Sequence, residues 1–533
     1  MRRITWLNAM RVAERRIRNW IIMIWKRISM FLVNAVLCVA AVFSVAMLAA
    51  TVCTTSVGVA SFADGVLPFL LLIATLWTAF EYSGRVNGFV YRNEIWILMV
   101  IVLLSFLFCI SILPALGQSC LYAPWDPKTA LECMGKGKIV ITHELRNQAW
   151  ANYEVFLSLL SIVFGGTLSV AQTANAIAHT VVLYPIFALS ERICGRRMAR
   201  LVVLLAAFLP SVYFYAFVLN SENISSCLIM FAGYFVLTAF RRESTLGTAL
   251  LQAFFAGFFL GVSHLFKGIT VVFVTALFGI AAIACLRLTA KAFVVKVVFF
   301  VLLMIPMYMG TKYVAQKTVA LLAGKPELCM AVAESSPLLY ELTLGFNVAS
   351  MGHYNHRLCQ QFLKLSEEER WSFFKNRVKN DWRKYPEFMV KKFARIHGAP
   401  TQQAGSSVYF SWTFIDSNGK NQSPAFLLEG GEAGSLVFKS LFIMAVLGTC
   451  LCRGRSLEYL IPGLFSLIVI LLFAGIQQLI ESNGRYKISI YPFYFMVLPY
   501  MCVWFERDNP VYTRLSRWLG ALKFKRRSHR EDE

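Results

Sequence analysis

The chain has 533 residues, of which 58% are hydrophobic and 15% charged, and its formal net charge is +23. A soluble protein of this size holds roughly 25% charged residues, so a soluble globular enzyme is excluded. The positive charge sits in short clusters between apolar runs and at both ends, which argues against a nucleic-acid surface and for the excess of Lys and Arg on cytoplasmic loops.

Apolar runs of about 20 residues recur along the chain, and each is long enough to cross a bilayer as a helix. A transmembrane barrel would show short alternating segments instead. The fold class predicted is an all-α polytopic integral membrane protein of about twelve transmembrane helices with a small external domain. No cleavable signal peptide is expected, because the first 27 residues are rich in Arg and Trp and the apolar run that follows is too long.

Residues 1–28, with Arg2, Arg3, Arg11, Arg15, Arg16, Arg18, Lys26 and Arg27, read as a basic amphipathic stretch on the cytoplasmic leaflet. A transmembrane region over 29–312 follows. Its first spans are expected at 29–52, 66–83 and 95–116, with Arg85 and Arg92 on a cytoplasmic turn. The third span leads into an external loop, 117–168, that holds Trp125-Asp126-Pro127. Within it, the apolar stretch 152–166 is too short for a crossing and suits a juxtamembrane helix. Later spans are expected at 169–190, 200–218, 224–240, 247–265, 268–285 and 293–312, turning at Arg192 to Arg200, Arg241 and Arg242, and Arg287 and Lys291.

Residues 313–435 are polar enough for an external domain. The stretch 366–397 has helical periodicity, and 400–435 reads as loops or short strands. C-terminal spans over 436–506 are placed at 436–452, 457–479 and 488–505, before a basic cytoplasmic tail over 507–533.

The thirteen Cys include no CxxC pair and no Cys/His metal spacing. Cys120 with Cys133, and Cys329 with Cys359, fall in external loops, where spacing alone does not decide pairing.

This topology brings Asp126, Glu222, Lys267, Glu481 and Arg485 to one external face. Charges at the edge of the hydrocarbon are costly and are functional candidates; each also suits an anchor among lipid headgroups. Both signs are present, which suggests a division of labour. A carboxylate, Asp126 or Glu222, takes a proton from an acceptor, while Lys267 and Arg485, with Tyr486 beside them, hold a phosphate leaving group. A carboxylate pair equally suits a divalent cation, so the cofactor stays open. Glu481 and His264 are further candidates for substrate or metal contact, and His264 also suits a structural role at a helix end.

These residues carry a family resemblance. The chain resembles the GT-C membrane glycosyltransferases, in particular the branch of dolichyl-phosphate-mannose–protein mannosyltransferases and bacterial aminoarabinose transferases. Asp126 with Leu131 and Gly137 looks like that family's first-loop aspartate. Gln172 and Asn175, Cys194 to Arg197, Pro210, Ser221-Glu222, Gly261 to Lys267, and Glu481, Arg485, Tyr486 and Pro492 follow in the family's order. There are departures: an extra span precedes the aspartate loop, and Ala151-Asn152-Tyr153-Glu154 stands where the family has His/Tyr-Pro-Pro. The resemblance implies a polyprenyl-phosphate sugar donor, an external active site in a plasma membrane of bacterial type, and an inverting transfer to an external glycan, lipid or protein. A lipid-linked sugar transporter, a polysaccharide polymerase or ligase, and a scaffold without chemistry are the other classes. A transporter would favour inverted repeats and midplane charges, and neither is evident.

Overall fold

The computed structural model describes residues 2–54, 67–87, 94–116, 138–139, 141, 148–166, 168–208, 221–241, 243–287, 291–325, 337–353, 355–398, 425–480 and 489–505. Among these residues the chain is all-helical, with no strand. The helices in chain order are α1 (Arg2–Thr54), α2 (Leu67–Asn87), α3 (Glu94–Leu116), α4 (Gln148–Phe164), α5 (Leu168–Val181), α6 (Leu183–Phe208), α7 (Glu222–Ala239), α8 (Leu246–Phe266) and α9 (Thr270–Arg287). They continue as α10 (Lys291–Leu322), α11 (Pro337–Gly345), α12 (His356–Leu363), α13 (Glu367–Asp381), α14 (Tyr385–His397), α15 (Ala425–Leu451), α16 (Leu457–Leu479) and α17 (Tyr491–Val497), and a 3₁₀ segment over Leu498–Phe505 closes the described chain.

Eight helical stretches among the described residues are long and apolar enough to cross a membrane, and Leu70–Glu81, Ile97–Phe108 and Ala151–Phe164 are shorter apolar helices. Several expected boundaries move. The basic N-terminal stretch and the first span form one helix, α1. The spans expected at 169–190 and 200–218 join through α5 and α6, with a kink at Gly195 (φ 72°) inside α6. Helix α10 runs past 312 to Leu322, and α15 begins at Ala425, in place of the loops or strands expected up to 435. The last span is the short α17 plus 3₁₀ turns. The helices that run longer than expected share one physical reason. Hydropathy changes where the solvent changes, but a helix continues while its i→i−4 bonds are unbroken. Tyr313 to Leu322 contains no helix breaker.

Packing follows from side-chain stripes. Val33, Leu37, Ala40, Phe43, Met47 and Thr51 are buried along α1 at spacings of three and four, one helical face turned to the bundle. Helices α8 and α10 are pressed together at Gly257 and Gly261. A Cβ on Gly257 would lie 2.7 Å from the Met304 carbonyl oxygen, and one on Gly261 would lie 2.6 Å from the Thr311 Cβ. Small residues four apart let helix backbones approach where lipid offers no hydrophobic drive. Leu103, Leu302 and Val42 stay exposed on the outer surface of the bundle.

Two hydrogen bonds orient the long α1. Near its middle, Ser29 Oγ donates to the Ile283 carbonyl at 3.3 Å; near its end, Thr51 Oγ1 donates to the His397 carbonyl at 3.4 Å. A buried ion pair ties α2 to α6. Arg200, 2% exposed, meets Glu81 at 2.7 Å, and Arg197 stands 3.5 Å from the same carboxylate.

The polar helices α11 to α14 form a compact module against the C-terminal half of α1. A capping box at Ser366 and Glu369 starts α13, and Arg377 donates to Asn347 at 2.8 Å. Phe43 of α1 meets Phe393 and His397 of α14 at ring separations of 5.9 and 5.2 Å. Cys359 is a buried thiol that accepts a hydrogen bond from the Tyr340 hydroxyl at 3.1 Å. Cys120, Cys133 and Cys329 lie outside the described residues.

His353 gives this module a pH dependence. Burial, and then the charges of Arg395 and Lys392, lower its imidazole from 6.5 to about 4. Between those values the unfolded chain binds a proton that the folded module does not. Module stability is therefore full above about 6.5 and falls as the pH drops towards 4. Amide exchange over 345–397 should quicken between pH 7 and 4.5 beyond its intrinsic pH effect, and His353→Gln should remove most of that excess. An identical profile in the variant would refute the assignment.

Candidate active site

The site begins at two helix ends. Glu222 opens α7, where unpaired N–H groups and the helix dipole favour a carboxylate; Lys267 caps the C-terminus of α8, where carbonyls favour a cation. The two side chains meet at 3.1 Å, with Lys267 Nζ donating to Glu222 Oε1. The Glu222 side chain is 1% exposed and that of Lys267 is 20% exposed. The carboxylate is thus the inner member of the pair, and the lysine side chain is the more exposed one.

A polar shell fixes the pair. Ser225 and Ser263, one turn in from Glu222 and Lys267, join their hydroxyls at 2.9 Å between α7 and α8. Asn152 of α4 donates its side-chain N–H to the Leu265 carbonyl at 2.8 Å. Tyr153 of α4 is fully buried, with Asn175 of α5 beside its hydroxyl and the Glu222 charge in its surroundings. Gln172, Asn175 and Glu154 are buried in the same part of the bundle.

The turn that carries Lys267 is pinned from the other side. His264 Nδ1 lies 2.6 Å from Thr270 Oγ1 and 3.1 Å from the Tyr308 hydroxyl, and Thr270 and Tyr308 are 3.1 Å apart. This triangle ties the end of α8, the start of α9 and the middle of α10 together. His264 therefore has a structural task at Nδ1 alongside any contact it makes with substrate. Lys312, one turn beyond Tyr308 on α10, lies beside His264 and makes no ion pair among the described residues.

Of the residues singled out from sequence, Glu222, Lys267 and His264 are brought into this one region. Asp126, Glu481, Arg485 and Tyr486 lie outside the described residues. Sequence reasoning missed Ser225, Ser263, Thr270, Tyr308 and Lys312 as members. Ser225 and Ser263 carried a usable signal, since they sit at i+3 from Glu222 and i−4 from Lys267. Tyr308 and Lys312 carried none, because only the packing of α10 on α8 brings them in. No three His, Cys, Asp or Glu side chains cluster as metal ligands among the described residues.

No protein-family model matches the chain, and no curated protein matches it. Solved structures give similarity at low overlap. One is the archaeal oligosaccharyltransferase AglB from Archaeoglobus fulgidus, in complex with an inhibitory peptide and a dolichol-phosphate. It is 11% identical with a TM-score of 0.40, over 76% of this chain and 50% of that one. Another is ArnT from Cupriavidus metallidurans bound to undecaprenyl phosphate, 13% identical with a TM-score of 0.32, over 77% of each chain. The apo form of ArnT gives the same identity and TM-score over 78% of this chain and 77% of that one. The chain spans about half the length of AglB. Overlap of this extent is a likeness of helical architecture, and it assigns no residue.

Proposed function

We propose that the protein is a membrane-embedded glycosyltransferase that moves a sugar from a polyprenyl-phosphate donor to an acceptor on the external side. The observation that carries this reading is the buried Glu222 ion-paired with Lys267 at one end of the helical bundle. It joins two positions that the GT-C resemblance marks independently. The donor class and the inverting outcome come from that resemblance.

In the proposed reaction an acceptor hydroxyl or amine attacks the anomeric carbon from the face opposite the phosphate. The new bond forms to that carbon, the carbon–oxygen bond to phosphate breaks, and the polyprenyl phosphate leaves with the electron pair. Asp126 takes the acceptor proton. Glu222 orients the acceptor or a divalent cation and holds Lys267 in place. Lys267 and Arg485, with the Tyr486 hydroxyl, face the phosphate, where fixed cations stabilise charge as it develops. The burial of Glu222 and its contact with Lys267 support an orienting role over a proton-carrying one.

Mass spectrometry of lipid-linked sugars and envelope glycans, with and without the protein, tests this function. A polyprenyl-phosphate sugar should accumulate, and one glycan modification should vanish, when the protein is absent. No change in either would refute the proposal.

Arg485 provides a more local test. Its planar fork suits a phosphate bidentately, and a Lys point charge does not reproduce that. Arg485→Ala should weaken donor binding in detergent free of anionic lipid, and Arg485→Lys should recover only part of it. Parental affinity in folded Arg485→Ala would remove Arg485 from the phosphate site.

Sidedness is tested by cysteine labelling in a Cys-depleted background. A Cys at 453 should be shielded from an impermeant external reagent and a Cys at 380 should react. The reverse pattern would invert the proposed topology.

A further inference from the structure

The Lys392 side chain of α14 is fully buried, yet its ammonium is saturated. Its Nζ donates to the carbonyls of Gly345 at 2.8 Å, Gln478 at 2.8 Å and Ile480 at 2.7 Å. An ammonium has three N–H donors, and all three are used. The acceptors sit at the C-termini of two helices, α11 and α16, where the last carbonyls lack intrahelical partners and carry partial negative charge. A buried ammonium without such partners would be prohibitive, so the lysine and the carbonyls hold one another in register. The join is also sterically tight. A Cβ on Gly345 would lie 2.1 Å from the Leu479 carbonyl oxygen and 2.6 Å from the Ile480 Cα. Only a glycine lets α11 approach the end of α16 so closely.

Ile480 directly precedes Glu481 in the sequence, and Arg485 and Tyr486 follow within two helical turns' worth of chain. We infer that Lys392 is a positioning residue, which fixes where the chain leaves α16 and thereby where the proposed phosphate-binding stretch begins. The functional half of this inference rests on the proposed transferase reaction; the structural half does not. A second buried lysine supplies the control. Lys439 of α15 donates to the carbonyls of His397 and Gly398 and to Thr51 Oγ1, at 2.5, 2.7 and 2.6 Å. It ties the C-terminus of α14 to α1 and α15.

The experiment uses the full chain in lipid nanodiscs, with amide exchange over 476–490 and a titration of polyprenyl-phosphate sugar. Lys392→Met keeps the apolar stem and loses the ammonium. Hydrogen bonds to charged groups contribute about 1.5–3 kcal/mol each, so losing even one predicts exchange at 478–490 faster by about ten- to a hundredfold. The donor KM should rise by a similar factor while kcat changes far less. Ethylammonium added to Lys392→Ala should restore both, because it refills the carbonyl cage. Lys439→Met should leave both readouts at the parental value. Unchanged exchange and KM in folded Lys392→Met would overturn the inference, and so would equal shifts in Lys439→Met. Should Lys392→Met fail to fold, Lys392→Gln, which keeps part of the donor set, is read against the same outcomes. If the parent binds no polyprenyl-phosphate sugar, the transferase proposal fails while the exchange readout still decides the role of Lys392.

Discussion

Turnover of purified Asp126→Asn should fall by about 10²–10⁴-fold, the range expected when a general base is removed from a proton transfer. The amide keeps the size of the carboxylate and loses its proton affinity. Donor binding and thermal stability should therefore stay close to the parental values, and the loss should appear in kcat. The proposal depends heavily on this residue, since Asp126 is its only assigned proton acceptor. Near-normal turnover in the folded variant would remove Asp126 from the mechanism and return the base to one of the remaining carboxylates. Equal losses in kcat and in donor affinity would instead indicate a binding role.

The second large effect concerns the Glu222–Lys267 pair. Removing one partner of a buried ion pair leaves an uncompensated charge and costs about 3–5 kcal/mol, whereas removing both is far milder. Lys267→Met should strand the Glu222 carboxylate inside the bundle and lower stability strongly. Glu222→Gln should cost less, because the Lys267 side chain is partly exposed and its ammonium can rehydrate. The double variant, Glu222→Gln with Lys267→Met, should be more stable than Lys267→Met alone. The functional signatures differ as well. Lys267→Met should lose donor affinity, while Glu222→Gln should retain donor binding and lose transfer. The cycle is read by unfolding in detergent alongside donor titration. Additive stability losses would show that the two groups do not interact in the folded protein, contrary to the 3.1 Å contact.

Lysine placement marks the divide between what is legible in the chain and what is not. Charge clusters between apolar runs predicted cytoplasmic turns; Arg241 and Arg455 do sit between helices, whereas Arg85 lies inside α2 and Arg192 to Arg200 inside α6. Lys392 and Lys439 do not behave as surface charges. Each is buried and caps helix C-termini from another element. Lys296 does the same for the segment after α7, donating to the carbonyls of Arg241 and of Ser244, the latter at 3.1 Å. Arg200 belongs to an expected basic turn, yet it is buried against Glu81. No local pattern separates these from solvated lysines and arginines, because their partners lie tens to hundreds of residues away.

The sequence by itself determined the class of molecule and the approximate position of most helices, and it singled out Glu222, Lys267 and His264 as candidates. Those features are set by local quantities: apolar length against bilayer thickness, charge at helix ends, and short motifs. The tertiary structure alone decided that Glu222 and Lys267 form one pair, that Tyr308 and Thr270 pin the turn beside them, and that Lys392 holds the exit of α16. It also decided where helices end, since α10 and α15 run beyond their apolar cores. The reason is that hydropathy reports the solvent a residue prefers, while a buried polar group is fixed by whichever distant carbonyl or carboxylate satisfies it.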